Sequence, residues 1–126
     1  MINTEYIVLL CGIYSVGFAV FHILFWRLFS WKKDLEKLSR PNKAIVQILN
    51  IRLIYFFLFV ALACFLFPKT LTQTEFGKFF LAGISIFWLG RTVEQFIFLR
   101  INHPSIHILT ITFILGSLLF GIPVVL

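Results

Sequence analysis

The chain has 126 residues, of which 60% are hydrophobic and only 13% charged, with 17 phenylalanines and a formal net charge of +6. Small domains bury a smaller share of their surface than large ones, so a water-soluble fold of this size would leave a large apolar patch exposed, and lipid is the expected solvent. The basic residues fall between apolar runs rather than on one face of a soluble module, which argues against nucleic acid and makes the bilayer the partner.

Four stretches have the roughly 20 residues that a helix needs to cross a hydrocarbon core about 30 Å thick. The first, 6–26, follows a start that carries Glu5 and no Lys or Arg. Its apolar run is too long for a signal-peptide core and lacks a small-residue cleavage pattern, so it is expected to remain as an uncleaved span. The next segment, 27–43, holds Arg27, Lys32, Lys33, Lys37, Arg40 and Lys43 against Asp34 and Glu36. Within it Leu28, Trp31, Leu35 and Leu38 recur at helical spacing. That pattern predicts a short amphipathic segment in the headgroup layer, anchored on anionic lipid and available to a membrane or cytoplasmic protein partner.

The second span, 45–67, ends at Pro68, with Asn42 after Pro41 as its expected cap. Thr72 and Glu75 fit a capping box, and Leu71 and Phe76 a hydrophobic staple, so the third helix is expected to start near Gln73 and to span 79–99. Pro104 suits the first turn of the fourth span, 105–126, because its missing N–H would be unpaired there anyway. The fold class predicted is all-α: one transmembrane domain over 1–126, an antiparallel four-helix bundle with the interfacial segment between its first two helices. The excess of Lys and Arg places 27–43 and 100–104 in the cytoplasm and both termini outside, in a bacterial inner membrane.

Polar side chains within spans are costly, so their positions carry information. His22, Asn50, Glu94 and His107 lie four to seven residues inside Arg27, Lys43, Arg100 and His103, which puts all four in one layer roughly 6 to 10 Å deep on the cytoplasmic side. At 100° per residue, Cys11, Ser15, His22 and Trp26 share a face of the first helix, and Gln47, Asn50, Ile54 and Ala61 one of the second. On the third helix Gly83, Phe87, Gly90 and Glu94 align, with Arg91 and Gln95 to one side. On the fourth His103, His107, Thr110, Ser117 and Gly121 form a stripe. Arg52 lies off these faces and is read as reaching the headgroups. The expectation is that these faces point inward.

The leading reading is a cytoplasmic-side polar layer that binds or translocates a small solute, lipid or proton. In it Glu94 and Arg91 set the charge, His22 and His107 titrate, and Gln47 and Asn50 orient the ligand. The bland alternative is an internal network in which Arg91 pairs with Glu94 and the amides and imidazoles bond between helices. A second functional class is a b-type haem electron carrier with His22 and His107 as axial ligands. A third is an accessory or scaffold subunit whose contact is the basic segment 27–43. No cofactor is predicted for the leading reading.

His103 and His107 stand four apart, but no carboxylate or thiol completes a metal set nearby. Cys11 and Cys64 fall at matching depth and are expected as buried thiols. Trp26 and Trp31 read as an interfacial belt, and Trp88 as a packing residue one turn from Arg91. No phosphate loop, nucleophile elbow or HExxH motif is present, so enzyme chemistry of the soluble kind is not expected. Four spans in so short a chain leave little mass outside the bilayer, which makes a homo-oligomer plausible.

Overall fold

The computed structural model describes residues 3–126 and is helical almost throughout, with no strand among the described residues. Four helices are long and apolar enough to cross a membrane: α1 (Thr4–Ile23), α4 (Arg40–Leu66), α6 (Glu75–Phe98) and α7 (Pro104–Val125). Short turns of helix join them, namely α2 (Phe25–Leu28), α3 (Trp31–Asp34), a 3-10 turn at Leu35–Lys37, and α5 (Pro68–Gln73). Only 22–39% of the apolar window of each long helix is buried, so most of their Phe, Leu and Ile side chains point away from the protein. By length and composition these helices could cross a membrane, and an exterior of this kind suits hydrocarbon better than water.

Several helix starts differ from those expected. α4 begins at Arg40, so Asn42 lies in its first turn instead of capping it, and Lys43 N–H reaches Ser39 O at 2.9 Å. Pro41 fits there because first-turn amides have no intrahelical acceptor. The cap of α6 is Thr74, two residues after the expected Thr72: its backbone is extended and its Oγ1 accepts from Gly77 N at 2.9 Å. Thr72 instead belongs to α5, where its hydroxyl donates to Pro68 O at 3.0 Å. Phe76 is 72% exposed while Leu71 is buried, so the two form no staple. Pro104 is the first residue of α7, and His103 Nδ1 caps that end by accepting from Ser105 N at 3.1 Å.

The segment 27–43 is not one amphipathic helix. Ser30 adopts a left-handed backbone with φ of 51°, a conformation that costs an L-residue about 1 kcal/mol and interrupts the helix. The chain therefore folds back on itself in single turns. Leu35 is buried while Leu28 and Leu38 are exposed, and rings do much of the packing. Phe25 lies 4.8 Å from Phe29 and 5.5 Å from Trp31, and Trp26 lies 5.3 Å from Trp31, all edge to face.

Two compact units are distinguished by their internal contacts: Met1–Cys11 with Cys64–Leu126, and Gly12–Ala63. In the first, α6 and α7 form a helical hairpin. Leu81, Trp88 and Phe120 are almost fully buried, and Trp88 stacks on Phe113 with centroids 5.6 Å apart. The middle of the hairpin is joined by a reciprocal pair: Ser85 Oγ donates to Ser117 O at 2.6 Å, and Ser117 Oγ donates to Ser85 O at 3.0 Å. Small residues permit this approach, since a Cβ on Gly121 would sit 3.0 Å from Ser85 Oγ. Ser85→Ala should lower the stability of the detergent-solubilised protein by about 1 kcal/mol, read as a shift of the thermal midpoint. Ser85→Cys, which keeps a weak donor, should lose less. Cys11 and Cys64 are buried thiols, and Cys11 Sγ donates to Leu119 O at 3.3 Å.

In the second unit Phe18 meets Phe57 with centroids 5.8 Å apart, and the buried Asn50 bonds His22, whose ring lies 5.2 Å from that of Phe57. The faces expected for α1 and α4 agree with the burial found, with Cys11, Ser15, Asn50 and Ala61 all inside. On α6 the buried residues are instead Gly77, Leu81, Ile84, Trp88, Thr92 and Gln95. Gly83, Gly90 and Glu94, expected inside, are exposed. The reason is steric: the bulk of Leu81 and Trp88 fills the α6–α7 contact and turns the glycine stripe outward.

Candidate functional site

The six residues singled out from sequence fall into two clusters, one in each unit. In the Gly12–Ala63 unit, Asn50 is 3% exposed and bonds His22 twice. Its Nδ2 donates to His22 O at 2.8 Å, and its Oδ1 lies 2.7 Å from His22 Nδ1. Because a backbone carbonyl only accepts, the amide orientation is fixed, and Nδ1 must carry the hydrogen that Oδ1 receives. His22 O is among the last carbonyls of α1, a group with no acceptor-satisfying amide inside its own helix, so Asn50 works as a cap supplied by α4. The His22 ring also stacks on Phe25, 4.1 Å between centroids. Gln47 is engaged likewise: its Oε1 accepts from Trp26 Nε1 at 3.0 Å, and its Nε2 donates to Lys43 O at 3.2 Å. This cluster joins α1 and its following turn to α4 through bonds between side chains and backbone.

In the other unit, Arg91 and Glu94 occupy the last three turns of α6. The Arg91 guanidinium lies 4.6 Å above the Phe113 ring, a cation–π contact that partly offsets its removal from water. The same ring stacks on Trp88, the packing residue one turn before Arg91. Glu94 is exposed. His107 is exposed as well, and its Nε2 lies 2.9 Å from Asn102 Oδ1.

The polar residue that α6 turns inward is Gln95, 1% exposed. Its Nε2 donates to Ile106 O at 3.3 Å across the hairpin. Its Oε1 is buried without a hydrogen-bond partner among the described residues. An orphaned buried acceptor costs roughly 1–3 kcal/mol. Gln95 lines a cavity of about 370 Å³ at the α6–α7 connection, together with Arg100, Asn102, His107 and Thr110 among its polar residues and Leu99 and Ile106 among its apolar ones. Arg100 Nε donates to Phe96 O at 3.0 Å, which turns the side chain back along the end of α6. Thr110 Oγ1 donates to Ile106 O at 2.9 Å.

Of the expected site residues, only His107 lines this cavity. Gln95, Arg100 and Asn102 were not chosen from the sequence. The signal for Gln95 was available in bulk rather than polarity: it lies seven residues after Trp88, on the same stripe as Leu81, Ile84 and Thr92. Among the described residues, no three His, Cys, Asp or Glu side chains gather into a metal-binding group. No known family model, no characterised protein and no solved structure matches the chain.

Proposed function

We propose that the chain is a four-span bacterial inner-membrane protein that binds a small polar solute or lipid headgroup at the cavity between α6 and α7. In this reading 27–43 and 100–104 face the cytoplasm and both termini face outward, as the Lys and Arg distribution favours. The observation that supports the proposal is the cavity of about 370 Å³ itself, where Gln95, Arg100, Asn102, His107 and Thr110 converge with apolar walls. The His22–Asn50 and Trp26–Gln47 bonds support a structural role for their cluster, which moves the binding function away from His22, Gln47 and Asn50.

The test is native mass spectrometry on protein purified in mild detergent. The parent chain should retain a small molecule, and Thr110→Leu, which fills the cavity with apolar volume, should release it while the thermal midpoint stays within a few degrees. Equal retention by both proteins would overturn the assignment of the cavity. An absorption spectrum of the same preparation adds a second arm, because a Soret band would replace this reading with haem ligation.

A further inference from the structure

Two side chains of opposite charge stand exposed within the long apolar helices, away from the cavity. Arg52 of α4 and Glu94 of α6 are both exposed, nine residues beyond Lys43 and six before Arg100. At the rise of a helix these intervals are roughly 13 and 9 Å. In the four-span topology proposed above, on which the pairing below rests, both positions fall in the same half of the bilayer. A charge facing hydrocarbon must reach back to the headgroups or lose part of its solvation, and within a span it is commonly met by an opposite charge.

The Arg52 guanidinium lies 5.7 Å from the centre of the Tyr55 ring. A ring face offsets only part of a cation's lost hydration, and an exposed guanidinium presents a planar fork of donors that fits a carboxylate. Arg91, one turn before Glu94, feels the charge of that carboxylate, but its own guanidinium lies on Phe113 at 4.6 Å. An ionised carboxylate has two oxygens and accepts from more than one donor, so Glu94 has capacity for a second cation.

The neighbours of the two charges match in bulk as well. One turn beyond Arg52, α4 exposes Tyr55, whose ring stacks on Phe59 with centroids 6.0 Å apart. One turn before Glu94, α6 exposes Gly90, where an added Cβ would meet no heavy atom within 4 Å. The second and third spans cross in opposite directions, so with Arg52 and Glu94 side by side, Tyr55 and Gly90 fall at one level on the same side of the pair. A ring entering the space over a glycine lets two helices approach closely in lipid.

We propose that two copies of the chain associate through these faces, α4 of one against α6 of the other, with Arg52 of one copy paired to the partner's Glu94. A second copy supplies both halves of the match, cation to carboxylate and ring to glycine. An anionic lipid would suit Arg52 but would set phosphate against Glu94, a charge of the same sign.

The test is association of the full chain in phosphatidylcholine vesicles, read by energy transfer between donor- and acceptor-labelled copies. Arg52→Glu and Glu94→Arg should each weaken self-association at least about tenfold, because each sets like charges opposite one another. Mixed together, the two variants should associate with each other about as well as the parent does with itself. Gly90→Leu should weaken association by a similar factor, and the open space around its Cβ leaves the single chain able to fold. Thermal midpoint and helicity in detergent check the fold of every variant, and Gly90→Leu carries the test if a charge reversal fails to fold.

Parent copies that stay apart in vesicles overturn the proposal, and so does association that survives Gly90→Leu. Reversals that weaken association without recovery on mixing overturn the Arg52 to Glu94 pair. If Arg52→Glu releases a co-purifying anionic phospholipid while association is unchanged, the face is a lipid contact and the proposal fails. Thr110→Leu should leave association at the parent level. A chain that pairs as described but retains no small molecule removes the cavity reading alone, and a chain that retains one but does not pair removes this proposal alone.

Discussion

Replacing Gly77 by alanine should cost about 3 kcal/mol of stability, whereas the same change at Gly83 should be neutral or slightly favourable. Gly77 lies in the first turn of α6, buried against the end of α5, and its amide donates to the Thr74 cap. A Cβ placed there would fall on the backbone of Thr70 and Leu71, 2.6 Å from Leu71 O. Side chains can rotate away from an intruding methyl, but carbonyls fixed in a helical turn cannot. The corner between α5 and α6 must therefore open, at a cost near the upper end of the overpacking range of 1–3 kcal/mol. Gly83 has no heavy atom within 4 Å of its ideal Cβ, and alanine is the better helix former by roughly 1 kcal/mol. Thermal unfolding of the two variants in one detergent gives the comparison. Equal midpoints would mean that α5 does not pack against Gly77 as described.

The second large effect is expected at Asn50. Asn50→Leu keeps the volume but leaves His22 O and the Nδ1 hydrogen of His22 without their partner. Each stranded group costs roughly 1–3 kcal/mol, and the two losses are not additive because the ring can turn, so a total of about 3 kcal/mol is expected. A double-mutant cycle separates the parts. In His22→Phe the ring stops donating, and adding Asn50→Leu should then cost less than it does alone, the remainder reporting the backbone carbonyl. A strictly additive cycle would mean that the Asn50 side chain and the imidazole are not coupled. Because the pair joins α1 to α4 inside one unit, the loss should appear in the whole-chain unfolding transition and not as local fraying.

Much of the architecture was legible because it follows from hydropathy and length. Four apolar runs of spanning length could only become helices where backbone groups find no water, and Pro104 marked its boundary correctly because proline has little freedom to sit elsewhere. The starts of α4 and α6 were misplaced for a common reason. Ser39, Asn42, Thr72 and Thr74 are all competent caps, and choosing among them depends on where the preceding turn closes. α5 decides this at Thr74, and nothing local to the sequence identified α5 as a helix. The broken segment around Ser30 was hidden for a similar reason, since a left-handed serine leaves no compositional mark.

The interior of the α6–α7 pair was read less well than that of α1 and α4. Polar stripes identify the inner face of a membrane helix only when the polar residues bond inward. Asn50 does so, whereas Glu94 and His107 are near helix ends where water is within reach. On α6 the inner face is set by the bulky Trp88 and Leu81, while the equally apolar Ile86 and Leu89 are exposed. Gln95 lies on the stripe that size defines, and Ser85 meets Ser117 across the helix pair, a contact that neither residue marks in the sequence.

The paired serines also restrict how the hairpin can deform. A slide of α7 along α6 by one helical turn, about 5.4 Å, would break both hydroxyl bonds of Ser85 and Ser117 and also the Gln95 bond to Ile106. By contrast, the hydroxyls of Thr92 and Thr110 return to carbonyls of their own helices and would offer no substitute. Shear between these two helices is consequently opposed at two levels along their length. Opening of the cavity at their shared end is therefore cheaper by bending of the connection at 99–103 than by sliding.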